Sequence, residues 1–136
     1  DMLLPRITPN PLLYLDPDNG MRRYKSLLDY LDSMARLEGL AFTACKTGHG
    51  AEIPDVGAHL AKTRAFIARR AHKYMDVIAR GPQTPHALAT AVFGELDITN
   101  QYLANSETIA YLDLLERDGK ISVDWDASTV TVESKT

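Results

Sequence analysis

Cys45 is the only cysteine in the sequence, so no disulfide can form within the chain, and a reducing, cytoplasmic setting is expected. Long apolar runs are missing as well. No stretch approaches the ~20 apolar residues of a membrane helix, and the first run, Met2-Leu3-Leu4, is too short for a secretory signal. No membrane partner is therefore expected. The chain also lacks an initiating methionine. It starts at Asp1, as expected of a polypeptide that has been cut, processed or taken from a longer one.

Positive charge is scarce in the second half. From Pro82 onward three Lys/Arg stand against nine Asp/Glu, whereas Pro54 to Gly81 carries six Lys/Arg against two Asp/Glu. One segment is basic and everything after it is acidic, and any partner must suit that division.

What is present reads as a mainly helical α+β chain. Prolines at 5, 9, 11 and 17 exclude a helix before residue 20. Met2-Leu3-Leu4 suits a short strand, and Asp16-Pro17-Asp18-Asn19-Gly20 supplies turn and N-cap chemistry. A helix is predicted from there to about Leu37, with Tyr24, Leu27, Leu28, Leu31, Met34 and Ala35 on its apolar face. Leu40 to Cys45 reads as a short buried strand, with Cys45 as a small hydrophobe.

Pro54 opens a long helix to about Arg80, where Leu60, Ile67 and Tyr74 recur every seven residues beside Ala71 and Ile78. Gly81-Pro82 ends it. Thr84 caps a shorter helix through Phe93, and another runs from about Thr99 to Arg117, with Tyr102, Ile109, Leu112 and Leu115 on one side. Alternation at Ile121, Val123, Trp125 and then Val130, Val132 predicts a β-hairpin turning at Asp126-Ala127-Ser128. This order is that of a winged helix. Residues 1–53 bury too little apolar surface to fold alone. They must dock on the later helices or belong to a larger sheet, and the second reading fits better.

Several of these segments resemble metallo-β-lactamase-fold proteins. They are Asp1 to Asn10, the amphipathic run Tyr30 to Leu37, and the loop Gly48-His49-Gly50, in that order. The tail segments Ile78 to Thr84 and Tyr111 to Ile121 resemble the final domain of the branch that carries a C-terminal winged helix. That branch includes glyoxalase II-like hydrolases, thioesterases and an endoribonuclease. The resemblance implies a remnant of the αββα catalytic domain over 1–53 and a winged-helix-like domain over 54–136. It implies that Asp1 stands where the family's Asp bridges two metal ions, and that His49 stands where a loop histidine meets the second. The metals would be zinc, polarising a carbonyl or phosphoryl group of an ester, thioester or phosphodiester. The family's His-rich loop would lie upstream of Asp1. Two ligands fall short of the three or four that zinc requires, so the isolated chain is expected to be inactive and to retain no zinc.

Lys62, Arg64, Arg69, Arg70 and Lys73 are candidate contacts to an anionic substrate such as a phosphate, coenzyme A or RNA, although a charged face on a long helix is commonly just solvated. His59, His72 and His86 read as solvated or packed. The alternative function is a stand-alone winged-helix module that binds a protein partner or a second copy. DNA is disfavoured. Ile98 to Asp118 holds Arg117 alone against Glu107, Asp113, Glu116 and Asp118, and like charges would meet. The expected partners are the missing N-terminal part of the same protein and a small ester or thioester or an RNA substrate, with a homo-oligomer also allowed.

Overall fold

The computed structural model describes residues 2–42, 44–81, 83–125 and 130–134. Asp1, Pro82 and the hairpin turn at 126–128 lie outside the described residues.

The proline-rich start runs as irregular chain with a bend at Pro5 to Ile7, and it reverses at Asp16-Pro17-Asp18-Asn19-Gly20. The Asp16 carboxylate accepts from the Asp18 amide (3.1 Å), Pro17–Asn19 forms one 3-10 turn, and Gly20 takes a left-handed φ of 63°. Met21 follows with a φ of 61°. These two residues reverse the chain, so β1 (Leu15–Asp16) pairs antiparallel with β2 (Arg22–Arg23). The expected helix start is displaced by this hairpin. Helix α1 spans Ser26–Glu38, and Leu27, Leu31 and Met34 are its buried side chains. Tyr24, expected on that face, is exposed and donates its hydroxyl to Asp16 (3.0 Å), and Ala35 is exposed too.

Two expected strands do not form. Among the described residues Met2–Leu4 forms no strand pair, and of those in 40–45 only Cys45 does, through a single antiparallel bridge to Ile53. A strand persists only where a neighbour takes its N–H and C=O groups. Among the described residues no such neighbour is offered beyond Ile53. Cys45 is half-buried rather than enclosed.

The later elements follow their local signals closely. Asp55 caps α2 (Val56–Ile78) by accepting from Ala58 N (2.8 Å), and the stripe Leu60, Ile67, Tyr74 and Ile78 is buried as expected. Thr84 caps α3 (Pro85–Phe93), with Pro85 at its first turn and Gly94 after its end. Asp97 caps α4 (Ile98–Arg117) through the amides of Thr99 and Asn100, and that contact together with the Asn100 side chain holds the Asp97 carboxyl below its usual range. Strands β3 (Ile121–Trp125) and β4 (Val130–Ser134) form the expected antiparallel hairpin, with Val123 opposite Val132.

Helix α4 is the centre of the molecule. It packs against α1, α2, α3 and β3, and every residue from Ala110 to Leu115 is buried. Leu3, Leu27, Leu31 and Met34 join Leu60, Tyr74, Leu88, Leu112 and Ile121 in one continuous core, so the first third of the chain docks on the later helices. Because α4 is covered on several sides, its polar residues need internal partners. Thr108 donates to Ala104 O (2.8 Å), so the Tyr74 hydroxyl must be the donor in its 3.0 Å contact with Thr108 Oγ1. The Tyr74 ring stacks on Tyr111 at 5.2 Å. Asp113, 1% exposed, accepts from both terminal guanidinium nitrogens of Arg23, Nη1 and Nη2, with Lys25 Nζ at 3.7 Å.

Candidate metal-ligand loop and basic face

The loop from Cys45 to Ile53 is closed at its base by two backbone hydrogen bonds, Cys45 N to Ile53 O (2.9 Å) and Ile53 N to Cys45 O (2.8 Å). Inside it, Thr47 Oγ1 lies within hydrogen-bonding distance of His49 O (2.8 Å) and Ala51 O (3.2 Å), tightening the bend. His49 sits on the exposed tip between Gly48 and Gly50. Gly50 is required twice over: its φ is +87°, and a Cβ there would meet Pro5 Cγ at 3.1 Å. The same close approach lays the loop against the start of the chain. Met2, Leu3, Thr47 and Gly48 share the walls of one recess of about 240 Å³.

A metal would need more than this. Among the described residues no group of three His, Cys, Asp or Glu side chains converges, and His49 is the one family-matched ligand within them. Asp1 lies outside the described residues. A closed zinc site takes four ligands and an open one three, so the donors described here do not fit a complete metal centre.

The five cations of α2 do not form one binding face. Arg64 makes a bidentate pair with Glu38 (2.5 and 3.1 Å), and that contact holds the Glu38 carboxyl below its usual range. Arg70 stacks over Phe93 (4.9 Å) and Phe66 (5.7 Å), and its Nε lies 3.2 Å from Glu107 Oε1. That approach is within ion-pair reach but outside hydrogen-bond alignment, since the same oxygen has no hydrogen-bond donor. Lys73 donates to Val92 O (2.8 Å), tying α2 to the end of α3. Arg69 is exposed. Lys62 borders a recess with His59, Phe66 and the segment Pro5 to Thr8. His72 reaches Asp76 at 3.7 Å on the surface.

The structure also revises the acidic reading of α4. Asp113 and Glu107 point inward, to Arg23 and Arg70, and do not contribute to an acidic surface. The pairing of Arg23 with Asp113 was not anticipated, although a clue existed. Asp113 interrupts the apolar run Leu112 to Leu115, and a carboxylate at a core position demands a cation. Arg6, also beside Lys62, carries no sequence signal beyond its charge.

No protein-family model matches the chain. It is similar to a beta-lactamase domain protein from Burkholderia ambifaria, with a TM-score of 0.80 and 28% identity over 99% of this chain and 40% of that one. It also superposes on a metallo-beta-lactamase family protein of Thermus thermophilus, with a TM-score of 0.77 and 24% identity, again over 99% of this chain and 40% of that one. The chain thus shares its fold with part of metallo-β-lactamase-family proteins. In sequence it is similar to Probable metallo-hydrolase YqjP of Bacillus subtilis, 32% identical over 130 residues. That match covers 96% of this chain and 40% of the relative, so the chain spans about two fifths of the length of the proteins it matches. No helix among the described residues is long and apolar enough to cross a membrane.

Proposed function

We propose that this chain is the C-terminal portion of a two-zinc hydrolase of the cytoplasm that acts on an ester, thioester or phosphodiester. In this reading Asp1 and His49 are metal ligands and the remaining ligands come from the preceding part of the same protein. The observation that carries it is the Gly48-His49-Gly50 loop. It is pinned by the Cys45–Ile53 bridge and by Thr47, its Gly50 packs against Pro5, and His49 is exposed at its tip. An imidazole on a tight glycine loop can approach a metal closely. The similarity to a probable metallo-hydrolase over 96% of the chain supports the same reading.

Within it, residues 54–136 form a winged-helix-like unit, on the strength of the order α2, α3, α4, β3, β4. Its last helix is buried, which argues against its lying in a DNA groove. The isolated 136-residue chain is expected to bind no stoichiometric zinc and to hydrolyse nothing, because it holds too few ligands. The test is metal analysis and ester hydrolysis of the longer protein and its His49→Ala variant. The variant should lose metal and lose hydrolysis by orders of magnitude. Unchanged metal content and rate in that variant, or tight zinc retention by the isolated chain, would sink the proposal.

A further inference from the structure

Two recesses meet at Phe66, and one of them has the makings of a ligand site. Its volume is about 300 Å³, and it is walled by Pro5 to Thr8 on one side and by α2 on the other. His59, Lys62 and Phe66 stand at i, i+3 and i+7 on that helix and therefore share a face. The floor is apolar, with the exposed side chains of Ile7 and Phe66 and the buried Thr63. Arg6, His59 and Lys62 border it, and no carboxylate lines it.

The contrast with the rest of α2 sharpens the point. Arg64, Arg70 and Lys73 are held by Glu38, Glu107 and Val92 O. Arg6 and Lys62 have no ion pair or hydrogen bond among the described residues. Cations left free beside an uncovered apolar floor match a molecule with an anionic end and a hydrocarbon body. The charge would meet the ammonium and guanidinium groups, and the body would cover Ile7 and Phe66.

We infer that this recess binds an amphiphilic organic anion through Arg6, Lys62 and His59, with Ile7 and Phe66 receiving its apolar part. The inference rests on the hydrolase reading only in identifying that anion with the substrate. The recess also borders Pro5, the residue against which Gly50 of the His49 loop packs, so a ligand seated here lies beside that loop.

The experiment is a titration of the 136-residue chain with hexyl phosphate, followed by amide chemical shifts. Inorganic phosphate and hexanol are run separately. Saturable shifts confined to residues 5–8 and 59–66 are expected, with hexyl phosphate binding more tightly than either half. Lys62→Glu should weaken it about tenfold or more, the scale of one charged contact, and Phe66→Ser should weaken it as well. Arg80→Glu makes the same charge change just beyond the far end of α2 and should leave the affinity nearly unaltered. Equal affinity in Lys62→Glu, equal loss in Arg80→Glu, or shifts elsewhere would overturn the inference.

In the longer protein the two readings separate. Metal-dependent hydrolysis with no preference for anionic over neutral esters, unaltered by Lys62→Glu, would overturn the recess as a substrate site and leave the hydrolase standing. Absence of metal and hydrolysis alongside Lys62-dependent binding of hexyl phosphate would support the recess and remove the hydrolase.

Discussion

Residues 2–53 and residues 56–125 contribute to one core but present very different surfaces. Eight of the twelve exposed large hydrophobic side chains among the described residues lie in the first stretch, from Ile7 and Leu12 to Leu40 and Phe42. The second stretch encloses its apolar side chains around α4 and presents few of them. Exposed apolar surface of this kind marks an interface. It accords with a chain that spans 40% of the proteins it matches, and we propose that the remainder of the same protein covers the part from Leu12 to Phe42, leaving Ile7 and the recess beside α2 open. The helical unit, by contrast, encloses most of its own apolar side chains.

The strongest link between the two stretches is Arg23 with Asp113, and breaking it should have the largest effect. Arg23→Ala leaves a carboxylate that is 1% exposed with only Lys25 at 3.7 Å, so a loss of about 3 kcal/mol is expected. It also removes the guanidinium that stacks 4.8 Å from Trp125. Urea unfolding measures the loss, and limited proteolysis should find 14–25 cut first. A change below about 1 kcal/mol would mean the pair is solvated like an ordinary surface bridge.

One substitution made at two places tests the contrast directly. Leu112 is fully buried at the centre of α4, and Leu40 is 59% exposed. Leu112→Ala should cost about 3 kcal/mol from lost burial and the cavity left behind, while Leu40→Ala should stay within about 0.5 kcal/mol. Equal costs would show that 40–42 is packed after all. Tyr74→Phe falls between them. It removes the hydroxyl that donates to Thr108 while keeping the stack on Tyr111, for a loss of about 1 kcal/mol.

The same contrast explains which parts the sequence made legible. Helices α2, α3 and α4 and the hairpin β3–β4 carry their own signals: Pro54 before α2 and its seven-residue stripe, Thr84 as the cap of α3, the apolar side of α4, and alternation in the hairpin. Each is decided within a few residues. The first stretch depends on distant partners. Tyr24 looked like part of an apolar face but follows a β-hairpin whose Arg23 is drawn to Asp113, ninety positions away. Leu40 to Cys45 has strand composition, but among its described residues only Cys45 finds a strand partner, Ile53. The His49 loop was legible through its glycines and family likeness. The fates of Arg64, Arg70 and Lys73 were not, because charge alone does not reveal that Glu38, Glu107 and a carbonyl already hold them.

The smallest expected effect concerns Glu107, where the enclosed unit keeps a carboxylate in an unfavourable place. Burial pushes the Glu107 carboxyl above its ordinary range, and the Arg70 guanidinium only partly offsets this. Tyr74 and Tyr111 are the titratable side chains nearby, and burial pushes both of their hydroxyls upward as well, so neither ionises in the acid range. Between the ordinary carboxylate value and the raised one, the folded chain holds a proton that the unfolded chain has released. Stability must therefore fall as pH rises through that window. Glu38 and Asp97, whose carboxyls are lowered, act in the opposite sense at more acidic pH. The informative quantity is then the difference between the parent chain and Glu107→Gln, measured by urea unfolding from about pH 4 to pH 7. Relative to the variant, the parent should lose stability as pH rises across that window, while Arg70 stays stacked on Phe93 in both. A difference that stays flat would mean that Glu107 is hydrated in solution, and that the α2–α4 seam is as open as the surface of residues 2–53.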